Sequence, residues 1–126
     1  MSDVDVALDA TADSIPLARE ALDTLREEVG QDRLDDLRLV VSELVTNSVR
    51  HAGLRTGDSI SLRVDALADH IRVEIQDRGP GFEASATPAT MYQESGWGLY
   101  LVSQIAERWG VSTDATGTTV WLEIAR

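Results

Sequence analysis

Apolar and polar residues alternate at the start of the chain, over residues 3–9, with the two-residue period of a half-buried strand. The period then changes to that of a helix, in which Asp13 and Ser14 can cap, Pro16 suits the first turn and Gly30 marks the end. A second and longer helix is predicted over residues 32–52 because apolar residues recur there at helical spacing up to a closing His-Ala-Gly.

Two more alternating runs, over residues 59–64 and 70–75, predict an antiparallel hairpin with one solvent-exposed face. Residues 77–98 have no period and are rich in Gly, Pro, Ser and Thr, which is typical of a functional loop or lid. A third helix is predicted from Leu99, followed by strands around Val111 and over residues 119–124.

The predicted order is strand, two helices, two strands, lid, helix, two strands. Helices grouped apart from mostly antiparallel strands indicate an α+β fold. We expect a two-layer sandwich, with a mixed but mostly antiparallel sheet and three helices on one face. A chain of 126 residues encloses one modest core, so a single domain over residues 1–126 is predicted.

Composition narrows the chemistry. All 11 basic residues are arginine, against 22 acidic residues, for a net charge of -11. Phosphate sites that depend on a lysine ammonium, and Schiff-base chemistry, are therefore excluded for this chain alone. Such a charge also argues against direct binding of nucleic acid. There is no cysteine, no leader-like N-terminus and no apolar run long enough for a membrane span, so we expect a cytoplasmic protein without a membrane partner.

Three polar residues of the second helix fall on one ridge. With Glu43 at zero, Asn47 lies at roughly 40° and His51 at roughly 80°, beside the apolar stripe. Taken alone, this ridge is more typical of a solvated helix shoulder. A carboxylate that can activate a hydroxyl, next to an amide oxygen that can bind Mg²⁺, is the functional alternative.

Asp77 ends the second hairpin strand and is followed by Gly79, Gly81 and Phe82. A carboxylate there can accept a hydrogen bond from an exocyclic amine, while the glycines let the backbone approach a flat ring. A tight turn is the structural alternative. Residues 79–84 also match a dinucleotide fingerprint. That fingerprint requires a parallel strand-helix-strand unit, which the elements predicted around these residues do not form.

Two further glycine segments complete the set. Gly96, Gly98 and Leu99 stand at the start of the third helix, where backbone amides can bind an anion without any lysine, or form a plain loop-to-helix junction. Thr118 follows Gly117 at the start of the last strand, at a turn or against a ligand. Together the segments predict one ATP site.

In order and spacing, these four segments resemble the N box, the two glycine boxes and the GT box of the GHKL ATPases, whose ATP-binding domain has the Bergerat fold. They cover about the last two thirds of the chain. Within that superfamily the chain is most similar to the small anti-sigma-factor serine/threonine-protein kinases of partner-switching systems. One departure is Trp97, which stands where many relatives have a basic residue.

The resemblance implies ATP and Mg²⁺ as cofactors. It assigns Glu43 as base or orienter and Asn47 as the ligand of magnesium and phosphate. It further implies cofactor contacts from a set of residues in the other boxes: His51, Asp77, Gly79, Gly81, Phe82, Gly96, Gly98, Leu99 and Thr118.

The functional hypothesis that follows is an anti-sigma factor that sequesters a sigma factor and phosphorylates an anti-anti-sigma (STAS) protein, with a homodimer as a further possibility. The alternative is an ATP-binding regulatory module that holds a protein partner without kinase activity. A third hypothesis is an α+β domain with no nucleotide site.

Overall fold

The computed structural model describes residues 3–9, 11, 13–51, 58–77, 98–114 and 117–126. Five strands form one sheet in the order β1-β2-β3-β5-β4. They are β1 (Val4–Asp9), β2 (Ser59–Ala66), β3 (His70–Asp77), β4 (Arg108–Asp114) and β5 (Gly117–Ala125). Among these residues the helices are α1 (Ser14–Asp23), α2 (Arg26–Val29), α3 (Gln31–His51) and α4 (Gly98–Ile105).

The α+β class is confirmed, and so is the order of the described strands and helices, except that the first predicted helix is divided in two. Most of the predicted lid over residues 77–98 lies outside the described residues. The sheet differs in one respect from the expected mixed sheet, because every described strand pairing is antiparallel. The sheet contains two hairpins, β2–β3 and β4–β5, and β3 pairs with β5 where the two hairpins adjoin. β1 joins β2 on the outside of the sheet. Because β5 is antiparallel to both β3 and β4, those two strands run parallel to each other, and the connection between them, which includes α4, crosses over β5.

The first predicted helix is divided in two. The amide of Leu25 bonds to the carbonyl of Leu22, and the amide of Thr24 to that of Ala21, which is the tighter three-residue spacing that closes α1. This break turns Leu25 into the core, where it is 4% exposed. The short α2 then ends, as predicted, at Gly30, whose φ of 83° is the left-handed conformation that glycine adopts without strain.

The core lies between one face of the sheet and the helices. Alternate residues of β2, β3 and β5 are buried, as the two-residue period predicts. From the other layer, α3 contributes an apolar stripe whose members are at most 2% exposed: Leu34, Leu37, Val40, Val41, Leu44 and Val45. This stripe holds α3 rigidly across the sheet, so polar residues beside it have fixed positions.

None of the helices in the described part of the chain combines the length and the apolar character needed to cross a bilayer.

Candidate nucleotide site

On the face of the sheet that packs against the helices, the residues change from apolar to polar at one end of the strands. Residues paired across all five strands form transverse rows, and one such row is entirely apolar: Val6, Leu62, Ile75, Val120 and Val111. The next row on the same face begins apolar on β1 and β2 but is polar on the other three strands: Leu8, Ile60, Asp77, Thr118 and Thr113. The core therefore ends in a polar edge under the helices.

Asp77 and Thr118 occupy core positions in spite of their polarity. Each lies two residues from an apolar core residue of its own strand, Ile75 and Val120, and so points to the same face. Their exposed fractions are 5% and 1%. Buried polar groups are costly unless they are hydrogen-bonded, so a polar pair here indicates a role that an apolar pair could not fill.

The C-terminal half of α3 lies against this polar edge. Asn47 and Ser48 are 7% and 8% exposed, and the Oγ atom of Ser48 donates a hydrogen bond to Oδ2 of Asp77 at 3.2 Å. This contact joins two residues 29 positions apart in the chain. It therefore ties the helix that carries the predicted ridge to the strand end that carries the predicted base-binding carboxylate.

Glu43 is half-buried on α3, one turn before Asn47. Its carboxylate makes no hydrogen bond or ion pair with any other residue that the structure describes. A carboxylate of this kind can accept a proton from a hydroxyl group brought to it. The structure thus places Glu43, Asn47, Asp77 and Thr118 in two adjoining layers, with the side chains of Asn47, Asp77 and Thr118 buried.

The other predicted site residues are less fully described. His51 is the last residue of α3, and Gly98 and Leu99 open α4, which begins where the sequence predicted a helix. Gly79, Gly81, Phe82 and Gly96 lie outside the described residues.

A dinucleotide site at Asp77 finds no support in the sheet. Both neighbours of β3, namely β2 and β5, run antiparallel to it. A dinucleotide fingerprint requires a parallel strand-helix-strand unit whose two strands are neighbours, whereas β4, which runs parallel to β3, is separated from it by β5.

Sequence reasoning missed the part that Ser48 plays in this arrangement. On this helix the sequence pattern pointed to Glu43, Asn47 and His51, and Ser48 was given no role. The available signal was the hydroxyl of Ser48 within the apolar stripe of the helix, together with the carboxylate of Asp77 at the end of the alternating apolar positions of β3. Two buried polar groups on packed elements are expected to bond to each other.

The polar residues of this candidate site fit a magnesium ion that arrives bound to a nucleotide better than a metal ion held by the protein alone. Among the residues that the structure describes, no three His, Asp or Glu side chains are grouped to hold a metal ion. Magnesium usually keeps several waters and binds through one or two protein oxygens together with substrate phosphates. The amide oxygen of Asn47 is a donor of the right chemistry for this arrangement.

Comparison with known proteins identifies relatives of this chain. The family described as histidine kinase-like ATPase domain matches residues 8–124. The serine-protein kinase RsbW of Staphylococcus epidermidis is 28% identical, over 82% of this chain and 75% of the relative. The protein of the same name from Staphylococcus aureus strain JH9 is 26% identical over the same shares.

Solved structures show the same fold. The histidine kinase domain of the blue-light activated histidine kinase of Erythrobacter litoralis EL346 superposes with a TM-score of 0.62 at 20% identity, over 90% of this chain. Another structure of that kinase gives a TM-score of 0.64 at 21% identity, again over 90% of this chain. The chain spans 59% and 41% of the lengths of these two structures.

Proposed function

This chain belongs to the histidine kinase-like ATPase domain family, and we propose that it is a serine/threonine protein kinase that also acts as an anti-sigma factor. In this proposal it phosphorylates a small anti-anti-sigma (STAS) protein with ATP and sequesters a sigma factor. The single observation that carries the nucleotide site is the buried Asp77, hydrogen-bonded by Ser48 of α3 and paired with Thr118. The relatives named serine-protein kinase RsbW support the choice of kinase.

The base end of the site is assigned to the polar edge of the sheet. Asp77 accepts a hydrogen bond from the exocyclic amine of adenine, which a carboxylate can do but an apolar side chain cannot. Thr118 lies beside it on β5. Gly79, Gly81 and Phe82 are assigned to the support of the base.

The phosphate end is assigned to α3 and to the start of α4. Asn47 would hold Mg²⁺, which when bound neutralises charge on the phosphates. The backbone at Gly96, Gly98 and Leu99 would bind phosphate oxygens through amide groups, with His51 nearby as a further contact. This arrangement needs no lysine, in accord with a chain that has none.

For the transfer step, the hydroxyl oxygen of the partner's serine or threonine bonds to the γ-phosphorus as the bond from that phosphorus to the bridging oxygen breaks. ADP leaves with the bridging oxygen. Glu43 orients the hydroxyl and accepts its proton, so it is the proposed catalytic residue. Most of the rate enhancement then comes from positioning and charge neutralisation.

The proposal also covers the location, oligomeric state and partners of the protein. The chain acts as one domain over residues 1–126 in the cytoplasm, as a homodimer, and without direct contact to nucleic acid. Partner switching follows if the STAS protein and the sigma factor compete for the same kinase and phosphorylation releases the STAS protein.

The decisive experiment measures transfer of radiolabelled γ-phosphate from ATP and Mg²⁺ to the cognate STAS protein. We expect transfer by the wild type, and transfer at least about 100-fold slower with Glu43→Gln, because loss of a general base typically costs that much. ATP affinity of Glu43→Gln should stay close to that of the wild type. Glu27→Gln, at an exposed glutamate of α2, is the matched control and should transfer normally.

Two outcomes would contradict the proposal. Equal transfer by the wild type and Glu43→Gln would remove Glu43 from the reaction. Tight ATP binding without transfer to the STAS partner would favour the alternative of a regulatory module that binds ATP and holds a partner without catalysis.

A further inference from the structure

We propose that Ser48 is a positioning residue that makes the nucleotide site selective for a 6-aminopurine, by orienting the carboxylate of Asp77. The inference rests on the proposed function, in which Asp77 binds the base. It starts from the hydrogen bond of 3.2 Å between Oγ of Ser48 and Oδ2 of Asp77.

The direction of this hydrogen bond follows from its chemistry. An ionised carboxylate only accepts hydrogen bonds, so the hydroxyl of Ser48 is the donor. A carboxylate has about four lone-pair positions, and it can therefore accept a bond from Ser48 and another from a ligand. With the Ser48 hydrogen bond in place, Asp77 can still accept a hydrogen bond from the edge of a bound base.

Orientation is the second effect. The terminal torsion of an aspartate side chain has a broad minimum, so the carboxylate plane is not set by the rotamer alone. Ser48 and Asp77 are both more than nine-tenths buried, and Ser48 is carried by a helix whose apolar stripe is packed against the sheet. A donor fixed in this way selects one orientation of the carboxylate before the base arrives.

Selectivity follows from the polarity of position 6 of the purine. Adenine presents an N–H donor there, which the carboxylate accepts, whereas a 6-oxo purine presents a carbonyl oxygen that it repels. A purine with only hydrogen at position 6 makes neither contact. Loss of Ser48 should therefore weaken binding of ATP and leave binding of the 6-unsubstituted analogue nearly unchanged.

The test compares dissociation constants of ATP and of purine riboside 5′-triphosphate, both with Mg²⁺, by isothermal titration calorimetry. For Ser48→Ala we expect a Kd for ATP about tenfold higher, since hydrogen bonds to charged groups are worth about that factor or more. The Kd for purine riboside triphosphate should change less than about twofold, because the bond concerned is not made.

Ser42→Ala provides the matched control. Ser42 is the other buried serine in the last three turns of α3, but it accepts a bond from Nε of Arg19 and donates to the carbonyl of Arg38. We expect Ser42→Ala to leave the ratio of the two Kd values unchanged. Ser48→Cys, with a similar volume and a weaker donor, should give an intermediate ratio and serves if Ser48→Ala does not fold.

Equal weakening of both nucleotides by Ser48→Ala would overturn the inference, because it would assign Ser48 a general packing role. An unchanged Kd for ATP would do the same. A wild type that binds the two nucleotides equally well would instead contradict the proposed contact between Asp77 and the amine, and a wild type that binds neither would contradict the proposed nucleotide site.

Discussion

Asp77 on β3 lies directly opposite Thr118 on β5, and both side chains are buried on the face of the sheet that packs against the helices. Thr118 is also paired with Thr113 of β4, and the two Oγ1 atoms are 3.4 Å apart. The carboxylate is therefore not an isolated polar group in the core. It belongs to a short polar edge that spans three adjacent strands.

Replacement of Thr118 by valine removes the hydroxyl and keeps the shape of the side chain. We expect the Kd for ATP to rise about threefold to tenfold, because a polar group beside the base is lost, while the melting temperature of the free protein does not fall. Calorimetric titration and thermal unfolding measure the two quantities. Thr119→Val, on the opposite face of β5, is the control and should leave the affinity unchanged; a rise in Kd with both variants would contradict the assignment.

Asp77→Asn tests the charge of the carboxylate. The amide oxygen of asparagine can still accept the hydrogen bond from Ser48, so we expect the fold to persist. The Kd for ATP should rise at least about tenfold, because a hydrogen bond to a charged acceptor is lost. Asp13→Asn is the matched control, since Asp13 is exposed at the start of α1 and its side chain makes no capping bond. Unchanged ATP affinity in Asp77→Asn would remove Asp77 from the site.

The outer face of the sheet contains a second testable contact. The ring of Trp121 lies over Gly110 of the neighbouring strand, and a Cβ atom added to Gly110 would come within 2.8 Å of Nε1 of Trp121. The guanidinium of Arg72, from β3 on the other side of β5, lies 4.7 Å from the ring centre, a cation–π contact. The ring is therefore held between two strands.

Gly110→Ala should lower the free energy of unfolding by about 1–3 kcal/mol, because the ring must shift to make room. Urea denaturation measures this change. Trp121→Leu removes most of the ring, so Gly110→Ala should cost less in that background. A cost that is equal in the two backgrounds would show that the ring is not the cause.

The β2–β3 turn makes stability depend on pH. Oδ1 of Asp69 lies 2.6 Å from Nδ1 of His70, and the hydrogen bond with this imidazole, followed by its charge, lowers the pKa of Asp69 from its ordinary value of 3.8. A folded pKa below the unfolded one contributes stability above the unfolded value, which is lost as pH falls through the lowered folded value. We therefore expect the wild type to exceed Asp69→Asn in urea midpoint at about pH 5.5.

That difference should shrink below about pH 3.8 and vanish once Asp69 is protonated in the folded state. The same substitution in a His70→Gln background provides the control, because the partner is absent there and the trend with pH should be lost. A difference that is constant from acid to neutral pH would contradict this account.

Much of the fold could be predicted from the order of residues. In the described part of the chain, the two-residue and helical periods identified each strand and every helix except α2, which was predicted as part of α1, and Gly30 ended a helix as predicted. The break near Leu25 could not be predicted, because its apolar side chain continued the helical spacing. The gain from burying Leu25 between layers is a tertiary effect that the local pattern does not contain.

For the candidate site, the sequence alone determined that Asp77 stands at the end of one strand and Thr118 at the start of the last strand, and that Glu43 and Asn47 lie on a ridge beside a buried stripe, because these relations depend only on local periods. Only the tertiary structure decided that β5 lies between β3 and β4, that Asp77 faces Thr118, and that Ser48 bonds to Asp77. Strand order and helix placement come from packing between residues far apart in the chain, and a local period carries no information on which distant element will cover it.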